Sequence, residues 1–385
     1  MPDRVKQMNE TQFQQLKSEV KAYVNGPLQA VSDAIEKTGV CGKDVWRKLR
    51  SQGYLNLAAP EPLGGRGLSF SQYLQIIELF ARSHGSIRVI VHVSNGIWRP
   101  FLSLVSAEQK ERFLKPLIEG RLIATFTLTE PGSGSGADLK TTVRKVGANY
   151  LVNGEKWMIS FGDIADYFLL FARLEGTSGY DGTVALMVPR GAPGLEIQMM
   201  PPAMGQTGTG HAHLYLKNAR VPARNLLGVP GQGLTAALSG FLGPSRVSVA
   251  MTCVGLAERA LELAVKRAKE RVTFGKPLAR RQIIQTYLAE MATDIEAARL
   301  LCIHAGELQD RQTLTAEKAS MAKLYSVGML KRVTDKALRI FGGIGYFKGS
   351  EIERIYRDSR MPWFEEGTAE TQKVIIAKHV LERGD

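Results

Sequence analysis

Three observations predict a mainly α chain with a central β-domain. Apolar residues recur at helical spacing up to about residue 118. Short β-branched runs broken by glycine and proline replace them from Leu122 to about Val229, and long helical periodicity returns after Gly233. The order gives three units: a helical one over 1–120, a β one over 121–230, and a helical bundle over 231–385.

In the first unit, Leu16, Val20, Tyr23 and Val24 share one helix face, as do Leu74, Ile77 and Phe80. The turn-rich run Ala58 to Ser69 separates them, with Ser69 as the expected cap of the second helix. A further helix is predicted from about Ala107 to Ile118, ending at Glu119-Gly120. In the second unit the strand-like runs are Ile123 to Thr129, Tyr150 to Val152, Tyr167 to Phe171, Val184 to Val188 and His213 to Leu216. Asn153-Gly154 reads as a hairpin turn, since both residues tolerate positive φ. In the third unit, amphipathic helices are predicted over about 234–271, 282–310, 315–341 and 368–382.

Composition narrows the function classes. A hydrophobic content of 44% with 23% charge describes an ordinary globular protein with a large core. No apolar run reaches membrane length and the first residues lack a signal-peptide core, so a cytoplasmic location is expected. Cys41, Cys253 and Cys302 lie far apart in apolar surroundings, which suits buried thiols. His211 and His213 share a strand face without a third ligand in sight, so no metal is expected. The net charge of +13 is spread at helical spacing without a nucleic-acid motif, which favours an anionic small molecule or an acidic protein partner.

The stretch from Arg354 to Gln372 carries the chemistry. Pro362 breaks any helix there, so a loop must cross between two helices. The loop holds Glu365 and Glu366 among Met361, Trp363 and Phe364, and Gly367 permits a close backbone approach. A carboxylate against apolar surface loses solvation and becomes a stronger base, able to take a proton from carbon. Gly132, Gly134 and Gly136 lack the spacing of a dinucleotide fingerprint, and no hydrolase or P-loop motif occurs.

At Thr129-Glu130-Pro131-Gly132-Ser133-Gly134-Ser135 the chain resembles the acyl-CoA dehydrogenase family. Five further stretches agree in the same order. They are Gly154 to Ser160, Leu226 to Gly228 with Gly231 to Gly233, Arg271 to Lys276, Phe341 to Gly345, and Glu366-Gly367-Thr368. Together they span essentially the whole chain.

The resemblance implies an N-terminal helical domain, a middle β-barrel or sandwich and a C-terminal four-helix bundle, assembled as a homotetramer around FAD. It places Phe126, Leu128, Thr129, Gly134 and Ser135 at the flavin, with Met158, Ile159 and Ser160 beside them. It places Arg271, Thr273, Phe274 and Gln282, with Arg339, Gly342 and Gly343, at the pyrophosphate and adenine of a neighbouring subunit's cofactor. Thr368 and Glu370 would close the site, while Ser135, Arg246 and Gly367 would meet the substrate. Glu366 is the implied base: it takes the α-proton of an acyl thioester as hydride leaves for flavin N5, giving a trans-2-enoyl thioester. In some members the base sits at the position of Ser245, a role serine cannot fill. An electron-transfer flavoprotein or similar acceptor is the implied partner.

Several residues depart from the family pattern. Met158 stands for the flavin-contacting tryptophan, Ser160 for a threonine, Arg339 for a glutamine, and Glu365 for the aromatic residue before the base. Gly243 replaces an aspartate that helps hold CoA, which leaves acyl-CoA and acyl-carrier protein both open as substrates. The stretch His92 to Trp98 is a candidate pocket lining. Two other readings remain open at this point: a flavin monooxygenase or oxidase on the same scaffold, and a binding protein without catalysis.

Overall fold

The computed structural model describes residues 8–133 and 138–382. Helices α1 (Glu10–Asn25) and α4 (Phe70–Phe80) each begin on a capping box, Asn9 with Gln12 and Ser69 with Gln72. Between and after them run α2 (Pro27–Thr38), α3 (Lys43–Ser51) and α5 (Gly85–Ser94). The helix predicted near 107–118 is divided into α6 (Ala107–Gln109), a π-helical turn (Lys110–Leu114) and α7 (Lys115–Ile118). Pro116 has no amide to give the carbonyl of Arg112, and the ladder widens there. The same cause divides the segment predicted as one helix over 234–271. Pro244 leaves the carbonyl of Gly240 without its donor, and α8 (Gly233–Ala237), a π turn (Leu238–Leu242) and α9 (Gly243–Glu270) result.

The middle unit is one eight-stranded sheet of order β6-β7-β3-β2-β4-β5-β8, with β1 parallel to β4. Its strands are β1 (Ala124–Thr127), β2 (Thr142–Val146), β3 (Asn149–Ser160), β4 (Tyr167–Leu174), β5 (Thr183–Pro189), β6 (Leu195–Met199), β7 (His211–Pro222) and β8 (Leu226–Leu227). Strands β6 and β8 at the two ends do not pair, so the sheet is open and not a closed barrel, and strands from both halves of it share one core. Val143, Val152 and Phe168 meet Leu186, Leu214 and Val221 inside it.

The predicted turn at Asn153-Gly154 is absent. Strand β3 runs through it, and the register against β7 slips between Val152 and Gly154, the mark of a β-bulge. Asn153 Oδ1 accepts the amide of Asn218 across the sheet at 2.7 Å, and Gly154 (φ 142°) lies so near Thr141 that a Cβ would fall 2.6 Å from its Cα. The turn into β3 is made by Gly147 and Ala148 instead.

The bundle consists of α9, α10 (Gln282–Asp310), α11 (Ala316–Phe341) and α13 (Ala369–Leu381), with the short α12 (Glu351–Asp358) before the last. Asp294 with Arg332 and Glu290 with Lys336 set α10 antiparallel to α11. Arg267 lies over the Phe341 ring at 5.9 Å, so α9 and α11 end together. Alanines line the α9 seam, where Ala250, Ala257, Ala260 and Ala264 are buried and allow close helix approach.

Candidate active site

The sequence predicts a loop from Arg354, but Arg354 to Asp358 belong to α12. Buried Asp358 accepts the amides of Gly85 at 3.1 Å and Gln206 at 2.6 Å, tying the end of α12 to both other units. A 3-10 turn at Met361–Trp363 follows, built on Pro362. Thr368 caps α13 by accepting the amide of Thr371. Trp363 packs on the core, whereas Phe364, expected to cover the carboxylates, is 62% exposed.

The two glutamates part. Glu365 turns to α5 and takes two hydrogen bonds from Arg88, at 2.9 and 2.8 Å. Burial pushes the Glu365 carboxyl up, but Arg88, by charge and hydrogen bond, with His92 and Lys323 nearby, leaves it below the usual range. Glu366 turns to α9, where Ser245 Oγ lies 2.8 Å from its Oε1. His92 Nε2 is 3.0 Å from the same hydroxyl and 3.8 Å from Oε1. Arg88 and His92 are four residues apart on α5, hence on one face of it. One helix face therefore reaches both carboxylates.

Glu366 adopts φ 54°, followed by Gly367 at φ 89°. A glutamate in that region costs about 1–3 kcal/mol and persists only where its surroundings impose it. Here the carbonyls impose it. Arg246 Nε donates to the Glu366 carbonyl at 3.2 Å, and Gln372 Nε2 lies 3.2, 3.0 and 3.3 Å from the carbonyls of Glu366, Gly367 and Thr368. Lys323 Nζ donates to the carbonyls of Glu365 and Gly367. Burial pushes Lys323 down to about 8 against the pull of Glu366 and Glu365. Burial likewise pulls Arg246 down, opposed by Glu366.

Sequence reasoning missed Lys323 and Gln372, which look like ordinary bundle residues in sequence. Their signal is a polar side chain at a core position of a helix; both are fully buried. Arg246, expected at the substrate, spends its Nε on the turn.

In the middle unit, β1 leads into Leu128, which is buried, and Thr129, whose carbonyl accepts the amide of Trp157 at 2.8 Å. The β3–β7 register slips again between Lys156 and Ile159, and Met158 (φ 56°) stands 48% exposed in that bulge. Phe126 to Thr129 and Met158 to Ser160 therefore lie side by side. Phe126 has one face stacked on Phe241, at 4.7 Å. Beneath them the fully buried Lys156 donates to the Leu128 carbonyl at 2.9 Å and to Glu130 at 2.8 Å. Glu130 also accepts the amides of Lys140 and Thr141, so the motif's glutamate closes its own loop. Burial pushes the Glu130 carboxyl up, yet Lys156 and these donors hold it below its usual value. Gly134 and Ser135 lie outside the described residues.

The remaining predicted residues gather elsewhere. Arg271 ends α9, and the ribbon β9 (Val272–Thr273) and β10 (Lys276–Pro277) follows, with Phe274 and Gly275 both at positive φ in its tip. Phe274 is 96% exposed. Arg281 donates to the Thr273 carbonyl at 2.6 Å, and Gln282 opens α10. Arg339 pairs with Asp335 at 2.9 Å in the last turns of α11, before Gly342 (φ 67°) and Gly343, where a Cβ would meet nothing. With 28 residues in α9, Arg271 lies roughly 40 Å from Ser245 at 1.5 Å per residue. A single chain does not bring the two groups together. Thr368 and Glu370 stay at the Glu366 end.

Known proteins agree with this layout. Residues 10–121, 125–219 and 231–381 match the N-terminal, middle and C-terminal domains of acyl-CoA dehydrogenase. The chain is 36% identical to an acyl-CoA dehydrogenase of Bacillus subtilis over 378 residues, 97% of this chain and 99% of that one. It is 33% identical to a 3-(aryl)acrylate reductase of Clostridium sporogenes over 372 residues, 96% of this chain and 98% of that one. The butyryl-CoA dehydrogenase structure from Megasphaera elsdenii superposes with a TM-score of 0.90 at 30% identity, covering 98% of this chain and 100% of that one. The chain belongs to the acyl-CoA dehydrogenase family.

Proposed function

We propose that this protein is an FAD-dependent acyl thioester α,β-dehydrogenase in which Glu366 removes the α-proton, leaving a trans-2-enoyl thioester. The observation that carries this reading is the imposed turn at Glu366. Its Oε1 is occupied by Ser245, while Oε2 has no hydrogen-bond partner among the described residues. A carboxylate so fixed presents one open oxygen toward a bound substrate.

The residues present fit FAD. Thr129 and Ser160 offer hydroxyls beside the exposed Met158, and the open turn at Gly342-Gly343 leaves room for close approach to a pyrophosphate. When bound, the flavin supplies a two-electron acceptor for the β-hydrogen. This chain's own contribution is to hold the acyl group, leave Oε2 open and take the proton there. Lys156 fixes the strand carrying Thr129, so Lys156→Met is expected to raise the dissociation constant for FAD roughly tenfold. Fluorescence titration of apoprotein with FAD checks this.

The distance along α9 supports assembly from at least two copies, with Arg271, Thr273, Phe274, Gln282 and Arg339 serving a neighbour's cofactor. The exposed Phe274, Ile344, Tyr346 and Phe347 near that end suit such an interface. We take the units as 1–120, 121–230 and 231–385, the homotetramer as the assembly, and an electron-transfer flavoprotein as the acceptor, in the cytoplasm. No helix among the described residues is long and apolar enough to cross a membrane.

Anaerobic titration of the holoenzyme with a panel of acyl-CoAs and acyl-carrier proteins tests the reading. Bleaching of the flavin band by one thioester class, with formation of its 2-enoyl product, is expected. No bleaching by either class, together with rapid oxidation of reduced enzyme by air, would shift the assignment to oxygen chemistry.

A further inference from the structure

We infer that His92 is a positioning residue for the base, acting through the Ser245 hydroxyl; the inference rests on Glu366 being that base. Direction follows from counting protons. An ionised carboxylate only accepts, so the 2.8 Å contact requires Ser245 to donate to Glu366 Oε1. That spends its one proton, and the 3.0 Å contact with His92 Nε2 must then run the other way, from an Nε2–H into the hydroxyl oxygen. A second observation agrees. His92 Nδ1 is buried without a hydrogen-bond partner among the described residues. In the tautomer just derived that atom is a bare lone pair, whereas the other tautomer would strand an N–H there.

The consequence is a one-way chain of donors ending on the base. A serine in the first turn of a helix is otherwise drawn to the carbonyl four residues back, here Phe241. Donation from His92 holds the hydroxyl toward Glu366 instead. It thereby occupies Oε1, limits rotation of the carboxylate and leaves Oε2 for the substrate. A histidine buried merely for packing would not need Nε2 aimed at a hydroxyl that is already committed. The charged and titratable groups around the trio are Arg88 on α5, Glu365 beside the base, Arg246 on α9 and Lys323 on α11, with His211 on β7, held down by burial, acting on Glu365. All of them remain when His92 or Ser245 is replaced.

The test is a double-mutant cycle of His92→Leu and Ser245→Ala, with His92→Gln as the conservative variant and Glu366→Gln as the reference. The readout is the limiting rate of anaerobic flavin reduction in the holoenzyme against pH, using the thioester that bleaches wild type fastest, with FAD content recorded for each variant. Each single variant is expected to slow reduction roughly tenfold, and to move the acidic limb of the profile to higher pH because an anion has lost a donor. The double variant should be no slower than Ser245→Ala alone, and His92→Gln, whose amide can still donate, should recover most of the rate. Losses that multiply in the double variant, or a profile unmoved by either replacement, would overturn the inference. Glu366→Gln separates the two levels: a wild-type rate in that variant removes the base itself, whereas an abolished rate with multiplying losses removes only the role of His92.

Discussion

Glu366→Gln is expected to lower the rate of anaerobic flavin reduction by roughly 10²–10⁴-fold while leaving fold and flavin content unchanged. The side chain loses its basic oxygen and its charge but keeps its shape. The turn that presents it is held through carbonyls by Arg246, Gln372 and Lys323, and none of these hydrogen bonds ends on the carboxylate. Ser245 can still donate to an amide oxygen, so the local packing has no reason to change. Stopped-flow absorbance of the flavin band checks the rate, and the visible spectrum of the resting enzyme checks flavin content. A variant that bleaches as fast as wild type would remove Glu366 from its role.

Arg88→Leu is expected to destabilise the protein by about 3–5 kcal/mol at neutral pH, because it strands a buried carboxylate. Its pH dependence gives the mechanism away. In the wild type the folded Glu365 carboxyl lies below its unfolded value, so the pair contributes stability above the unfolded range and loses it as pH falls through the folded value. Without Arg88, burial is the largest remaining influence and raises the carboxyl above its unfolded value. The folded variant then binds more protons than the unfolded chain between those two values, and acidification from roughly pH 7 toward pH 5 should stabilise it while barely affecting wild type. Urea unfolding at fixed FAD concentration measures both effects. Replacing both partners, Arg88→Leu with Glu365→Leu, should recover most of the loss, since no charge is left buried. Equal pH dependence in the single variant and wild type would contradict this account of Glu365.

The order of the three units was legible because amphipathic periodicity is a local property, and Leu16, Val20 and Val24 show it without help from distant residues. The cap at Ser69 was legible for the same reason. The interruptions at Lys110–Leu114 and Leu238–Leu242 were not, although Pro116 and Pro244 stood in plain view, because a proline can start a helix or widen one and only the packed neighbours decide. Asn153-Gly154 misled for a similar reason. Positive φ serves a bulge as well as a turn, and the Asn218 partner 65 residues away is not a local signal.

At the site, the acidic turn could be found from Pro362, Glu366 and Gly367, but which carboxylate faces which helix could not. That depends on Arg88 and Ser245, which come from different units. His92 was visible only as one residue of a candidate lining stretch, since a histidine among valines on a helix carries no mark of its tautomer or its target. Phe364 shows the limit from the other side. Its apolar character suggested a cover over the base, and its exposure shows that composition does not set orientation.

Removal of one hydrogen from each of two adjacent carbons is tested most directly with isotopes. The thioester that bleaches the flavin fastest is prepared with deuterium at the α-carbon or at the β-carbon, and single-turnover bleaching is followed without oxygen. We predict that each label slows bleaching of the wild type, and that the product is the trans-2-enoyl thioester. Bleaching unaffected by deuterium at either carbon, or bleaching without an enoyl product, would contradict α,β-dehydrogenation at this site.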